Sequence, residues 1–268
     1  AMGTHSIALT HYAGRAGDRN DRAMIASHLL AGALSVRLGT FAYAVGSRRP
    51  AAAQPWDVEL KLARADLVAM GRRYESVFGQ GARPVSVMGR CAVALATLPV
   101  VAAHRPDAVV VWFDAHADVN TPESTTSDYL GGLALSGPLG LWDSGLGAGL
   151  AADKAILVGV RDVDPPERGT IDSSGLTEVL PGPDLARRVV SAVKGRPVYV
   201  HIDCDVLEPG AVPTEYRVPG GVTLAELREV AEALAEGEVV GLEIGEFESE
   251  TGDEDFVSLL DALAPLLG

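Results

Sequence analysis

The stretch "AVVVWFDAHADVN", residues 108–120, sets an unbroken apolar run directly against Asp114, His116 and Asp118. A run this short, rich in β-branched and aromatic residues, reads as a strand buried on both faces, which is how strands of a parallel sheet read. Five more runs share its character: "SIALT" (6–10), "PVSVM" (84–88), "AILVGV" (155–160), "PVYVHI" (197–202) and "VVGLEI" (239–244). Between them, residues 21–38, 57–78, 90–104, 184–194 and 223–237 carry apolar side chains three and four apart, the helical period. Alternation of the two patterns is that of βαβ units, hence of a parallel sheet covered by helices. No internal repeat and no low-complexity linker divides the chain. Residues 5–268 are therefore read as a single domain, and residues 1–4 of the opening "AMGTHS" as an expression remnant.

Composition narrows the function. The chain has 268 residues, 47% hydrophobic and 22% charged, with a formal net charge of -14. That charge argues against nucleic acid or an anionic membrane as partner, because a phosphate surface would repel it. Neither a bilayer-length apolar run nor a basic leader with an apolar core is present, so a soluble cytoplasmic protein is expected. Two cysteines, Cys91 and Cys204, are too few for a disulfide framework.

In an open parallel sheet, ligands bind beyond the carboxyl ends of the strands, so the residues that follow each run matter most. These are "DAHAD" (114–118), "RDVDPPE" (161–167), "DCDVLEP" (203–209), "GEFE" (245–248) and "GRCA" (89–92). Unpaired carboxylates crowded at one edge would repel one another, and a divalent cation relieves that repulsion. Asp114, His116 and Asp118 are spaced two apart, which puts them on one face of an extended segment. Asp203 and Asp205 repeat the spacing, with Cys204 turned to the core and His201 deeper in the strand as a hydrogen-bonded core residue. Mixed carboxylate and imidazole donors suit Mn, Fe, Zn or Ni. The surplus of carboxylates over what one ion needs points to two bridged cations and to hydrolysis. Each segment also has a plainer reading: solvated acids on an edge loop, a helix start at "RDVDPPE", a surface glutamate at Glu246, and a buried filler at Cys91.

Four segments in order, "DAHADVNTPESTTS" (114–127), "RDVDPPE", "HIDCDVLEP" (201–209) and "GLEIGEFE" (241–248), resemble the signatures of the arginase and agmatinase (ureohydrolase) superfamily, from about residue 86 to the C-terminus. The resemblance implies a three-layer αβα sandwich with a mostly parallel sheet of about eight strands. It further implies two Mn²⁺ ions held by Cys91, Asp114, His116, Asp118, Asp203 and Asp205, with Asp114 and Asp203 bridging. Asp118 and Glu246 would be catalytic, the first as proton carrier and the second as the carboxylate that pairs with a guanidinium. Asn120 and Ser127 would receive an α-carboxylate, Asp164 and Glu167 an α-ammonium. The implied partner is a small guanidino amino acid, and relatives often form homo-oligomers.

Three departures qualify the resemblance. The superfamily has "GGDHS", with a metal-binding histidine, where this chain reads "MGRCA" with Cys91. In "SDYLGG" (127–132), Tyr129 replaces an asparagine that contacts the substrate carboxylate and Gly131 replaces a proton-shuttling histidine. The segment "PTEYRVPGG" (213–221) differs in length and composition. A thiolate is softer than imidazole and anionic, so it weakens the preference for hard Mn²⁺. With "LSGPLGLWDSGLGAG" (135–149), these features look closest to the branch, found in antibiotic biosynthesis, that hydrolyses Nω-hydroxy-L-arginine to hydroxyurea and L-ornithine. The competing expectations are an ordinary urea-releasing arginase and a binding protein that kept the fold after losing a metal.

Overall fold

The computed structural model describes residues 5–268, so the remnant read at residues 1–4 lies outside the described residues. In chain order the strands are β1 (Ile7–Tyr12), β2 (Tyr43–Val45), β3 (Arg83–Val87), β4 (Val109–Phe113), β5 (Ala155–Val158), β6 (Thr177–Val179), β7 (Val198–Asp203) and β8 (Val239–Gly245). The helices are α1 (Arg22–Leu38), α2 (Trp56–Gly79), α3 (Ala94–His104), α4 (Pro165–Ser174), α5 (Leu185–Val193), α6 (Leu224–Ala235) and α7 (Val257–Leu263). The strands form one 8-stranded sheet in the order β2-β1-β3-β8-β7-β4-β5-β6. Every pairing is parallel, where a mostly parallel sheet was expected.

Each of the six apolar runs overlaps a strand, and the alternation along them decides the layers. Val109, Val111 and Phe113 of β4 join an apolar cluster with Leu30 of α1, Val189 of α5, Leu227 of α6 and Leu260 of α7. Val110 and Trp112, one residue out of phase, join the opposite cluster with Leu67 of α2, Leu98 of α3 and Ile171 of α4. Helices thus cover both faces, the arrangement that buried parallel strands require. Helix boundaries follow from local chemistry. At α6, Thr223 accepts from Glu226 N while Glu226 accepts from Thr223 N, each at 3.1 Å, which satisfies two otherwise free donors. At α1, Gly39 in the left-handed region (φ 63) closes the last turn.

The elements that the sequence reading passed over are β2, β6 and α7, together with the body of α4. Both strands have three residues and lie at the two edges of the sheet; β6 (TEV) has no apolar run, and β2 sits in a five-residue apolar stretch, 41–45, too short to stand out. Short edge strands resist pairing with other chains, at the cost of a weak sequence signal.

One glycine reports how tightly the centre is packed. A Cβ at Gly241 of β8 would lie 2.8 Å from the Pro84 carbonyl oxygen and 2.8 Å from Tyr199 Cε2, beside the register shift at Val198/Tyr199. Gly241→Ala should therefore cost about 1–3 kcal/mol, read as a lower urea midpoint with an unchanged slope. A midpoint equal to that of the wild type would show that β8 can shift to make room.

Candidate active site

Because every strand runs the same way, all carboxyl ends open on one edge. Asp114 follows β4 and is fully buried; Oδ1 accepts from His116 N at 2.7 Å and Oδ2 from Trp112 Nε1 at 3.0 Å. Asp203 ends β7 and its Oδ1 accepts from Asp205 N at 2.8 Å, while Asp205 Oδ1 accepts from Ala115 N at 3.0 Å. Backbone donors thus pin one oxygen of each aspartate. The other oxygens turn to neighbours in the crevice: Asp203 Oδ2 lies 3.4 Å from Cys91 Sγ, and Asp205 Oδ2 lies 3.0 Å from His116 Nδ1. Asp118 (φ 52) and Glu246 (φ 58) are held in the left-handed region. That strain is on the order of 1–3 kcal/mol per residue and characteristically collects at functional sites.

Ligand atoms of Cys91, Asp114, Asp118 and Asp203 lie within 4.8 Å of one another, as do those of Asp114, His116 and Asp205. Asp114 belongs to both groups, the layout of two cation positions that share a bridging carboxylate. Asp203, given as a second bridge by the resemblance, groups with the Cys91 set alone. The charge state without cations explains why the set suits them. Burial and the neighbouring Asp114 charge push Asp118 well up, and burial with Asp114 and Asp205 does the same to Asp203. Against its own burial, His116 is raised to about 12 by hydrogen bonds and charge from Asp114 and Asp205; Asp114, likewise buried, is held near about 2 by His116. An imidazolium here does part of the work of a divalent ion, and a metal would displace its proton. The donors present, carboxylates with one imidazole and one sulfur, fit such a pair of ions.

Cys91 opens a 3-10 turn after β3 and is buried. Its Sγ lies 3.1 Å from His201 Nε2, and His201 Nδ1 lies 2.5 Å from Glu243 Oε2. Strand register creates this chain: Trp112 and Glu243 both pair with His201, and the Trp112 and His201 rings stack with centroids 3.5 Å apart. His201 is a hydrogen-bonded core residue, as read from the sequence, and Cys204 lies in the opposite apolar core. A thiol, imidazole and carboxylate in series resemble the parts of a nucleophilic triad. Here, however, Cys91 does not reach the cavity wall, and burial with the surrounding carboxylates pushes its thiol well up. The geometry suits a ligand facing inward.

The cavity over this edge has a volume of about 180 Å³ and is lined by His116, Asp118, Asp203, Asp205 and Glu246 together with Asn120, Ser127, Asp164 and Glu167. All the sequence-predicted site residues therefore converge, with Cys91 and Asp114 behind the wall. Asn120 Nδ2 donates to Asp164 Oδ2 at 2.9 Å. Glu167 accepts from Val119 N and Asp164 N, so two acceptor positions are already taken by backbone. Glu246 is engaged as well: Oε2 accepts from Arg90 Nη1 at 3.0 Å, and Oε1 accepts from Cys91 N and from the Tyr129 hydroxyl, each at 3.0 Å. Arg90 and Tyr216 were missed. Tyr216 lines the cavity with its ring 5.2 Å from that of His116. The available signals were the basic residue inside "GRCA" and the aromatic residue in "PTEYRVPGG".

A sequence profile described as the Arginase family matches residues 5–261, beginning far upstream of residue 86. An N(omega)-hydroxy-L-arginine amidinohydrolase of Streptomyces lavendulae is 44% identical over 257 residues, 94% of each chain. An arginase of Schizosaccharomyces pombe is 34% identical over 193 residues, 64% of this chain and 58% of that one. Among solved structures, the arginase from Bacillus subtilis shares the fold with a TM-score of 0.84 at 20% identity, over 98% of both chains.

The raised pKa of His116 makes cation binding a proton-releasing event at neutral pH. Calorimetric titration with Mn²⁺ at pH 7, in buffers of differing ionisation enthalpy, should show release of about one proton or more per chain. Apparent affinity should rise with pH, because the imidazole must be neutral to bind. His116→Asn should release fewer protons. Heats independent of the buffer would show that His116 is not displaced.

Proposed function

The chain belongs to the arginase family, and on that premise we propose that it is a metal-dependent amidinohydrolase whose substrate is Nω-hydroxy-L-arginine, cleaved by water to hydroxyurea and L-ornithine. The observation that carries the substrate is Cys91, grouped with Asp114, Asp118 and Asp203, in a chain whose relative named for that substrate aligns along almost its whole length. Two divalent cations, Mn²⁺ in this reading, would be held by Cys91, Asp114, Asp118 and Asp203 and by Asp114, His116 and Asp205; the resemblance adds Asp203 as a second shared ligand, and when bound the ions would make a nucleophile of water near neutral pH.

The remaining work falls to the chain. Asp118 stands in the cavity wall, where its carboxylate can take the proton of the attacking water and return it to the ornithine nitrogen as the carbon–nitrogen bond breaks. Glu246, which follows β8 at the same edge and lines the same cavity, would face the guanidine. Asn120 and Ser127 would receive the α-carboxylate, and Asp164 with Glu167 the α-ammonium, so that the reacting carbon is fixed beside Asp118 and Glu246 before chemistry. Capture of both head groups supports an amino acid over a decarboxylated amine. The net charge of -14 argues against nucleic acid or an anionic membrane as partner, and among the described residues no helix is long and apolar enough to cross a membrane.

Hydroxyurea and urea quantified from the two substrates test this directly. With Mn²⁺-loaded protein, kcat/KM for Nω-hydroxy-L-arginine should exceed that for L-arginine by about tenfold or more, a difference of about 1.4 kcal/mol in transition-state stabilisation. Cys91→Ser should lower the metal content towards one ion per chain, while Cys91→His should restore two. Faster turnover of L-arginine by the wild type would make this an ordinary arginase, and fewer than one ion per chain under Mn²⁺-replete conditions would make it a binding protein.

A further inference from the structure

Glu246 reaches the cavity with most of its hydrogen-bonding capacity spent. An ionised carboxylate offers about four lone-pair sites, two on each oxygen. Oε1 accepts from Cys91 N and the Tyr129 hydroxyl, and Oε2 accepts from Arg90 Nη1. One site on Oε2 remains. The two-pronged pairing of a guanidinium with a carboxylate needs an acceptor on each oxygen, and Oε1 has none to give.

What occupies Glu246 is also built to stay. Arg90 has 0% side-chain exposure. Its Nε lies 3.2 Å from Asp18 Oδ2 and its Nη2 2.8 Å from Glu248 Oε2, while Nη1 lies 3.0 Å from both Glu215 Oε2 and Glu246 Oε2. Removing it would leave Asp18 and Glu246 buried without a cation, while Glu248 would keep Arg22 at 3.1 Å and Glu215 its contact with solvent. Tyr129 is fixed in its turn. Arg19 Cζ lies 4.7 Å above its ring, and a Cβ at Gly131 would fall 2.5 Å from Tyr129 Cε1, so the ring sits in space that a side chain at 131 would need.

We propose that Arg90 and Tyr129 are specificity-determining residues: they occupy Glu246 in advance, so that the site rejects the fully charged guanidinium of L-arginine and accepts a less basic guanidine. The inference rests on the reading that Glu246 faces the guanidine. A guanidinium at the one free acceptor forms a single hydrogen bond beside a permanent positive charge. An N-hydroxyguanidine, being a weaker base, gives up its proton on entering the site at a much smaller cost than a guanidinium and so avoids that repulsion. Arg90 touches Glu246 and not the reacting atoms, so it acts as a positioning residue; Tyr129 lines the cavity itself.

The test compares Mn²⁺-loaded wild type, Arg90→Met, Arg90→Lys, Tyr129→Phe and Glu248→Gln. Readouts are kcat and KM for both substrates and the Ki of L-arginine against Nω-hydroxy-L-arginine. Arg90→Met should tighten L-arginine about tenfold and lower the preference for the hydroxylated substrate by as much, through KM. Tyr129→Phe, which frees one acceptor and keeps all charges, should tighten L-arginine about threefold to tenfold. Arg90→Lys keeps the cation and should hold the wild-type preference within about threefold, as should Glu248→Gln, which disturbs the same cluster without freeing Glu246. An unchanged preference in both Arg90→Met and Tyr129→Phe, or weaker L-arginine binding in either, overturns the proposal. If Arg90→Met does not fold, Tyr129→Phe decides alone. A wild type that prefers L-arginine would refute the substrate assignment, whereas this inference depends on the change in L-arginine affinity between variants. If hydroxyarginine is not turned over at all, calorimetric Kd values for L-arginine replace Ki.

Discussion

Repulsion among buried carboxylates is the constraint around which this molecule is organised. Parallel pairing places Asp114, Asp118, Asp203, Asp205 and Glu246 at one edge, each buried, in surroundings where like charges are expensive. The chain answers with directed donors. Backbone N–H groups of Ala115, His116 and Asp205 each hold a carboxylate oxygen, the Trp112 indole holds another, and His116 and Arg90 supply positive charge. The compensation is uneven. Arg90 serves the Glu246 end permanently, while the group around Asp114 relies on a proton that a metal can displace. The fixed cation lies beside Glu246 and the titratable one beside the candidate metal ligands Asp114 and Asp205.

The same sheet supplies stiffness beneath the site. A buried polar chain runs from Cys91 through His201 and Glu243 to Tyr199 and Tyr74, with Tyr74 bonded to Tyr199 at 2.6 Å and to Ser86 at 2.8 Å. Thr97 of α3 donates to Glu243 Oε1 at 2.7 Å, which ties the helix after the cysteine to the strand that Glu246 follows. Fully satisfied networks of this kind rigidify a core and specify one arrangement of it. Cys91 is thus held in place by the core beneath it.

Much of this was legible in the sequence, for definite reasons. Six strands announced themselves because burial on both faces leaves an unbroken apolar run, and Asp114, His116 and Asp118 did so because period-two spacing at a strand end has few other uses. The edge strands β2 and β6 were silent because three half-exposed residues carry no periodicity. Arg90 escaped for a different reason. A basic residue in a loop ordinarily reads as solvated, and its partners Asp18, Glu215, Glu246 and Glu248 come from three distant stretches of chain, so only the fold brings them together. His201 was placed correctly in the core, yet its contact with Cys91 depends on a crossover between β3 and β7 that local pattern does not encode.

The contact between positions 129 and 131 bears on how such a site can diverge. With 2.5 Å between a would-be Cβ at Gly131 and the Tyr129 ring, the two positions share one volume and are epistatic. A lineage moving from a side chain at 131 to a ring at 129 passes most easily through a form that is small at both. That intermediate would have an enlarged, loosely filled cavity, tolerant of more than one guanidine. Promiscuity would then precede the new specificity, and the order of the two substitutions would be set by steric exclusion before selection on activity could act.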